Sequence, residues 1–216
     1  MDGTLVDTEP YWIVAENELV AAHGGQWSHE DALGLVGKAL LESAEILRAH
    51  GVDLPADDIL SFLVGRVAAA VAVRVPWQPG ALELLGELAA AGVPCALVTM
   101  SYRSLTTALV AAAPPGVFGA VVAGEDVTRG KPHPEAYLLA AALLGVDPRD
   151  CVALEDSPPG ISSALASGAR TIGIEVMVPV PLQPGLSRIG SLTEVTLADL
   201  GRVARGHTID RTDAPA

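Results

Sequence analysis

The chain has 216 residues, 50% of them hydrophobic, with a mean hydropathy of +0.40 and a formal net charge of −13. That length suits one core domain with a modest insertion, and the acidic balance argues against nucleic acid and anionic membrane surfaces as partners. No apolar run approaches the roughly 18–20 residues of a membrane span, and the N-terminus shows neither a basic n-region nor an apolar h-region, so a cytoplasmic monomer is expected.

The first ten residues contain the corner Asp2-Gly3-Thr4, followed by Leu5-Val6-Asp7-Thr8-Glu9-Pro10. Asp-Gly is a common turn dipeptide. Here it also places a carboxyl and a hydroxyl beside a backbone that Gly3 leaves open, where successive amide groups can face an anion. Pro10 suits the first turn of a helix, with Thr8 as its cap. Trp12, Ala15, Leu19, Val20 and Ala22 supply the helical stripe, and His23-Gly24-Gly25 ends it. Ser28 followed by Asp31 opens a second helix with a near capping box. Leu40 to Leu47 carry a third as far as Gly51, and Pro55 with Asp57 starts a fourth that runs to Val73. Residues 11–75 therefore read as a compact helical insertion.

Two prolines and a glycine in Val75-Pro76-Trp77-Gln78-Pro79-Gly80 mark a linker. Beyond it, helix and strand alternate. Helices are expected over 81–90, 103–112, 134–144 and 160–167, the last with Gly168 as its C-cap. Short apolar strands are expected over 94–98, 120–123, 151–154 and 171–174. This alternation predicts a doubly wound parallel sheet of the α/β class, with chemistry gathered beyond the carboxyl ends of its strands. Thr99 and Glu155-Asp156 lie at such ends, and Lys131 follows the loop after the 120–123 strand. Pro179, Pro181 and Pro184 argue for extended loop, 191–200 for a last helix, and 205–216 for a flexible tail. Cys95 and Cys151 fit neither a metal spacing nor a disulfide framework. They read as small core residues in a reducing compartment.

Taken alone, Thr99 reads as a helix cap and Lys131 as a solvated loop residue; phosphoryl transfer, which needs a nucleophile, a proton donor and positive charge on the phosphoryl oxygens, is the chemistry open to the set. The Thr99 hydroxyl and the amides that follow, beginning with Met100, can donate to phosphoryl oxygens. Lys131, held in Gly130-Lys131-Pro132-His133-Pro134-Glu135, offers a compact charge, whereas His133 between two prolines reads as structural. The adjacent carboxylates of Glu155-Asp156-Ser157-Pro158-Pro159-Gly160 repel each other unless a cation compensates them, and oxygen ligands near phosphate suit Mg²⁺. Asp156 or Ser157 also suits the cap of the following helix.

In this order, the Asp2-Gly3-Thr4 corner, Thr99, Gly130-Lys131-Pro132 and Glu155-Asp156 resemble the four motifs of the haloacid dehalogenase (HAD) superfamily of aspartate-based phosphatases. Within it, the chain is most similar to the β-phosphoglucomutase-like branch with its small helical cap, and the resemblance spans nearly the whole chain. It implies a Rossmann-like core of 1–10 plus 76–204 and a cap of 11–75. It also implies a Mg²⁺-dependent phosphomonoesterase for a small phosphorylated metabolite such as a sugar phosphate. Asp2 would be the general acid/base and a metal ligand, and Lys131 would serve the catalytic site and the phosphate. Thr99 and Met100 would bind phosphate, and Asp156, assisted by Glu155, would hold the metal.

In the cap, Gly37 and Lys38 fall in the specificity loop, and Glu9 lies at the cap junction. Mutases of this branch carry an Arg where this chain has Leu40, and often a Lys where it has Val36, so the resemblance implies a phosphatase before a mutase. One departure stands out. The family's first motif is Asp-x-Asp-Gly-Thr, and with x at Met1 its nucleophilic Asp would precede the chain. The expectation is therefore a true start upstream of Met1, with impaired folding and negligible turnover without that segment. The alternatives are a mutase and a fold kept for binding alone.

Overall fold

The computed structural model describes residues 1–35, 38, 40–176 and 178–212. It divides into two compact units, Thr8–Pro76 and Met1–Asp7 with Trp77–Ala216.

The first unit is helical among its described residues: α1 (Glu9–Ala22), α2 (His29–Leu33), α3 (Leu40–Ala49) and α4 (Ala56–Val73). Ile59, Leu63, Val67 and Val71 recur every fourth residue on α4 and are all buried, the spacing that gives one apolar helix face. That face packs against α1, which buries Ala15, Leu19 and Val20, and against α3, which buries Ala44 and Leu47. The Ser28–Asp31 capping box forms as the sequence indicates. Thr8 occupies the N-cap position of α1 but makes no side-chain cap bond, because its backbone is already helical there and turns the hydroxyl away from the first free amides. Ala22 is exposed, and the stripe includes Glu16 instead, buried to 5% exposure.

The second unit alternates helix and strand: α5 (Ala81–Ala90), β1 (Cys95–Val98), α6 (Arg103–Ala112), β2 (Phe118–Val122), α7 (Glu135–Leu144), β3 (Val152–Glu155), α8 (Pro158–Ser167), β4 (Arg170–Ile174), β5 (Leu186–Ile189) and α9 (Leu197–Ala204). The α/β class and parallel pairing are as expected, and Gly168 closes α8 at φ +93°. Among the described residues the predicted single sheet is instead two: β1 pairs only β2, and β3–β4–β5 form the other. Leu5 and Val6 do reach Trp77 and Gln78 by backbone pairing, yet nothing among the described residues pairs β1 with β3. The break shows in burial. Thr171, Ile172, Gly173 and Ile174 of β4 are all buried, whereas three of four β1 residues and two of four β3 residues are only half-buried. Cys95 and Cys151, expected in the core, are accordingly half-buried free thiols.

Two further corrections concern the C-terminal part. The proline-rich region holds β5 just beyond Pro184, and the last helix begins at Leu197 after a 3-10 turn at Leu192–Glu194. Residues after 204 do not form a free tail as far as Thr212. The Arg188 backbone pairs with Ile209 and Arg211, Arg188 forms an ion pair with Asp210 at 2.6 Å, and Arg211 pairs with Asp199 at 2.9 Å.

Candidate active site

The site is assembled at the carboxyl ends of β1 and β3. The N-terminal corner is a tight turn in which Gly3 donates to Val6 O at 2.8 Å and Leu5 donates to Met1 O at 2.8 Å. Gly3 sits at φ +73°, where other residues are strained, and a Cβ there would lie 2.0 Å from Asp156 Oδ2. Only a glycine lets the two segments come this close. Thr4, buried, donates its hydroxyl to Asp156 Oδ1 at 2.6 Å. Asp2 Oδ2 accepts from Ser101 Oγ at 2.6 Å. The corner therefore ties the residues after β1 to those after β3.

Thr99, 4% exposed, directly follows β1, and its Oγ1 accepts from the Ser101 amide at 3.0 Å. Met100 lies at the bend that follows and is 36% exposed. Lys131 reaches back from a Lys131–Pro132 corner whose peptide is cis. Its ammonium pairs with Glu155 Oε1, approaches Val98 O at 3.4 Å and sits 5.2 Å from the centre of the Tyr137 ring. The two ion-pair side chains are 10% and 6% exposed. A pair this buried holds only if its remaining hydrogen-bonding capacity is met, and Tyr137 OH donates to the same Glu155 oxygen. Burial, and then the charge of Glu155, push the Tyr137 phenol well above its ordinary value, so it stays a donor. Burial likewise raises the Asp156 carboxyl, against the Thr4 hydrogen bond and the Met1 amino group, which both favour its charged form.

Ser157 caps α8 by accepting from the Gly160 amide at 3.2 Å. Gly160 is needed for space, since a Cβ there would fall 2.0 Å from Glu155 Oε2. His133 serves structure: its carbonyl accepts from Ser163 and its ring nitrogen from the Glu135 amide.

Asp2, Thr99, Met100, Lys131, Glu155 and Asp156 thus share one end of the α/β unit. Glu9 and Lys38 belong to the helical unit, where Glu9 opens α1 and Lys38 pairs with Glu42. Gly37 lies outside the described residues. Sequence reasoning missed Tyr137 and Ser101 and gave Thr4 no partner. Tyr137 carried a faint signal, an aromatic residue with a polar tip one helical turn past the Lys131 corner.

Among the described residues, no three His, Cys, Asp or Glu side chains cluster as a protein-only metal cage. Glu155, expected as an assisting metal ligand, pairs with Lys131 and accepts from Tyr137 through Oε1, and the ammonium compensates its buried charge. The Asp156 carboxylate and the Asp2 backbone carbonyl are the oxygen donors at the corner. One or two carboxylates completed by phosphate and water is the donor chemistry Mg²⁺ takes, so this pair fits such an ion.

A family model for haloacid dehalogenase-like hydrolases matches residues 1–168. The chain belongs to that family. Hexitol phosphatase A of Escherichia coli K12 is 36% identical over 186 residues, covering 84% of this chain and 83% of its own. Protein CbbY of Rhodobacter capsulatus is 35% identical over 184 residues, covering 80% of this chain and 81% of its own. Among solved structures, CbbY of Rhodobacter sphaeroides in complex with phosphate superposes with a TM-score of 0.79 at 31% identity, over 93% of this chain and 96% of that one. In this chain the polar groups converge on the carboxyl ends of the parallel strands β1 and β3.

Proposed function

We propose that the chain carries the active-site frame of a Mg²⁺-dependent phosphomonoesterase for a small phosphorylated metabolite, a sugar or sugar-alcohol phosphate. The observation that carries this reading is the buried Lys131–Glu155 pair beside the Asp2–Thr4–Asp156 corner. It holds an ammonium of the kind that the equatorial oxygens of a phosphoryl group need for charge neutralisation. Thr99 and the Met100 amide donate to those oxygens. Asp2 gives its proton to the leaving alcohol and later takes one from the attacking water. Ser101, which donates to Asp2, orients that carboxyl. The Asp156 carboxylate and the Asp2 backbone carbonyl would hold Mg²⁺, which when bound supplies further charge neutralisation on the phosphate.

In the Asp-x-Asp-Gly-Thr motif that the chain resembles, the nucleophile is the Asp two positions before Asp2. Relatives named for hexitol phosphates, and a solved CbbY complex with xylulose 1,5-bisphosphate at 30% identity, support the substrate class. Leu40, an uncharged residue at the mutases' Arg position, supports hydrolysis over mutase activity. The helical unit, with Glu9, Gly37 and Lys38, is the proposed specificity cap.

The test is hydrolysis of p-nitrophenyl phosphate and a panel of hexitol and pentose phosphates by the chain extended before Met1 with an apolar segment ending in Asp. Turnover is expected with Mg²⁺, and is expected to vanish with EDTA or with Lys131→Met. Tight phosphate binding without turnover would replace the enzyme by a binding protein. Faster isomerisation of hexose phosphates than hydrolysis would make it a mutase.

A further inference from the structure

Thr99 and Met100, the proposed phosphate donors, lie in the segment 99–102, which links β1 to α6 and belongs to neither. Tyr102 occupies the N-cap of α6 and makes no side-chain cap bond. The first amides of a helix then need acceptors from elsewhere. Here one comes from another part of the chain. The 3-10 turn Gly124–Asp126 follows β2 and presents Glu125, whose carboxylate accepts from the Arg103 amide at 3.0 Å through Oε1 and at 3.2 Å through Oε2. A carboxylate there also suits the positive end of the helix.

Further contacts join the same two segments. Thr99 donates its amide to Val122 O at 2.9 Å, and Gly124 donates to Ser101 O at 3.1 Å. The Arg103 guanidinium pairs with Asp126, whose Oδ2 also accepts from the Ala123 amide at 2.8 Å. A Cβ on Gly124 would lie 2.5 Å from Met100 O, so only a glycine lets the turn close on the segment. Among the described residues, the Met100 and Tyr102 amides have no acceptor. The backbone is thus pinned on either side of open donors. An anion that binds them meets much of the ordering cost already paid.

Charge alone works the other way. Glu125 and Asp126 would repel a phosphate, in a chain whose formal net charge is already −13. Arg103 offsets one of the two carboxylates. Glu125 therefore helps an anion only if its grip on the backbone outweighs its charge, and the sign of a substitution decides between them.

We propose that Glu125 is a positioning residue for phosphate binding: by holding the Arg103 amide it keeps the Met100–Tyr102 backbone in the form that meets a phosphoryl group. The proposal rests on the phosphatase reading for the identity of the anion, and on the contacts alone for the clasp.

The test compares the unsubstituted chain with Glu125→Ala and Glu125→Gln. Gln keeps an acceptor for the Arg103 amide and drops the charge, whereas Ala drops both. The readouts are the Arg103 amide exchange rate by NMR, the melting temperature, and the dissociation constant of inorganic phosphate with Mg²⁺ by calorimetry. They are taken on the 216-residue chain and on the extended form of the turnover test, so one folded form suffices. Glu125→Ala is expected to speed Arg103 exchange and to weaken phosphate binding at least about fivefold, the scale of a lost helix cap, with Glu125→Gln within about twofold of the unsubstituted chain. Faster exchange and a lower melting temperature with unchanged phosphate affinity would reduce Glu125 to a helix cap and overturn the proposal. So would tighter phosphate binding in both variants, which would show charge outweighing geometry. Failure of the unsubstituted chain to bind phosphate would instead sink the phosphatase reading, and the positioning role with it.

Discussion

Thr4 and Asp156, 152 positions apart, share a hydrogen bond of 2.6 Å at the point where the N-terminal corner meets the end of β3. The acceptor is a carboxyl that burial alone would make harder to ionise, and the hydroxyl offsets part of that cost. Thr4→Val keeps the shape and removes the donor. It is expected to destabilise the α/β unit by about 1.5–3 kcal/mol, the range for a hydrogen bond to a charged group, and to raise the Asp156 carboxyl further. Urea unfolding and carboxyl ¹³C titration measure the two effects. An unchanged unfolding midpoint would mean that water replaces the hydroxyl at no cost.

The Lys131–Glu155 pair is expected to behave as a unit. Lys131→Met leaves Glu155 buried with no cation and should cost about 3–5 kcal/mol. Combining it with Glu155→Leu removes both charges and should recover most of that loss. A denaturant double-mutant cycle tests this, and additive single effects would show that the pair is not coupled.

Two glycines in helices predict opposite outcomes for one substitution. A Cβ at Gly160 would meet the Glu155 carboxylate at 2.0 Å, whereas a Cβ at Gly65, on the exposed face of α4, meets nothing within 4 Å. Gly160→Ala should destabilise by about 1–3 kcal/mol, as overpacking does. Gly65→Ala should stabilise by about 0.5–1 kcal/mol through helix propensity. Melting curves of the two variants check the signs, and a stabilised Gly160→Ala would refute the close contact.

The helical unit should lose stability as pH rises toward neutrality. Glu16 is buried in α1, and that burial pushes its carboxyl up to about 7, with the Trp27 indole, which donates to Oε2 at 3.3 Å, acting the other way. A raised folded value means that the folded state holds the proton more tightly than the unfolded chain. The contribution is thus complete below about 4.5 and lost as pH climbs through about 7, amounting to at most about 3 kcal/mol. Asp147 and Asp199, both lowered to about 2, act with the opposite sign and in a separate window, below about 4. Glu16→Gln should flatten the decline between pH 5 and 7.5, followed by Trp27 fluorescence during unfolding. An unaltered slope would place the titration elsewhere.

Much of the fold was legible because the pattern was local. Strands such as Cys95–Val98 are short apolar runs, and the Ser28–Asp31 box is a spacing of three. Lys131 and Glu155-Asp156 were readable as a site because they fall at strand ends. Strand β5 was not readable: Ser187 and Arg188 break its apolar run, and it holds only because Ser187 accepts from the Ile209 amide while Arg188 reaches Asp210. Tyr137 and Glu16 stayed hidden for a related reason. Each looks like an ordinary helix residue until a distant group, Glu155 for one and the burying helices for the other, gives it a role. The interruption between β1 and β3 is likewise a property of pairing, which no single stretch of sequence displays.

The pairing of Arg188 with residues 209–211 has a consequence for solubility. β5 is the outermost strand of its sheet, and an open outer strand invites other chains to dock on it. Here the chain's own closing stretch lies along that strand, bonded through its backbone and locked by the Arg188–Asp210 charges. The stretch works as a guard rail: shortening the protein before His207 would cost little core, yet it would turn a sealed border into a template for self-association.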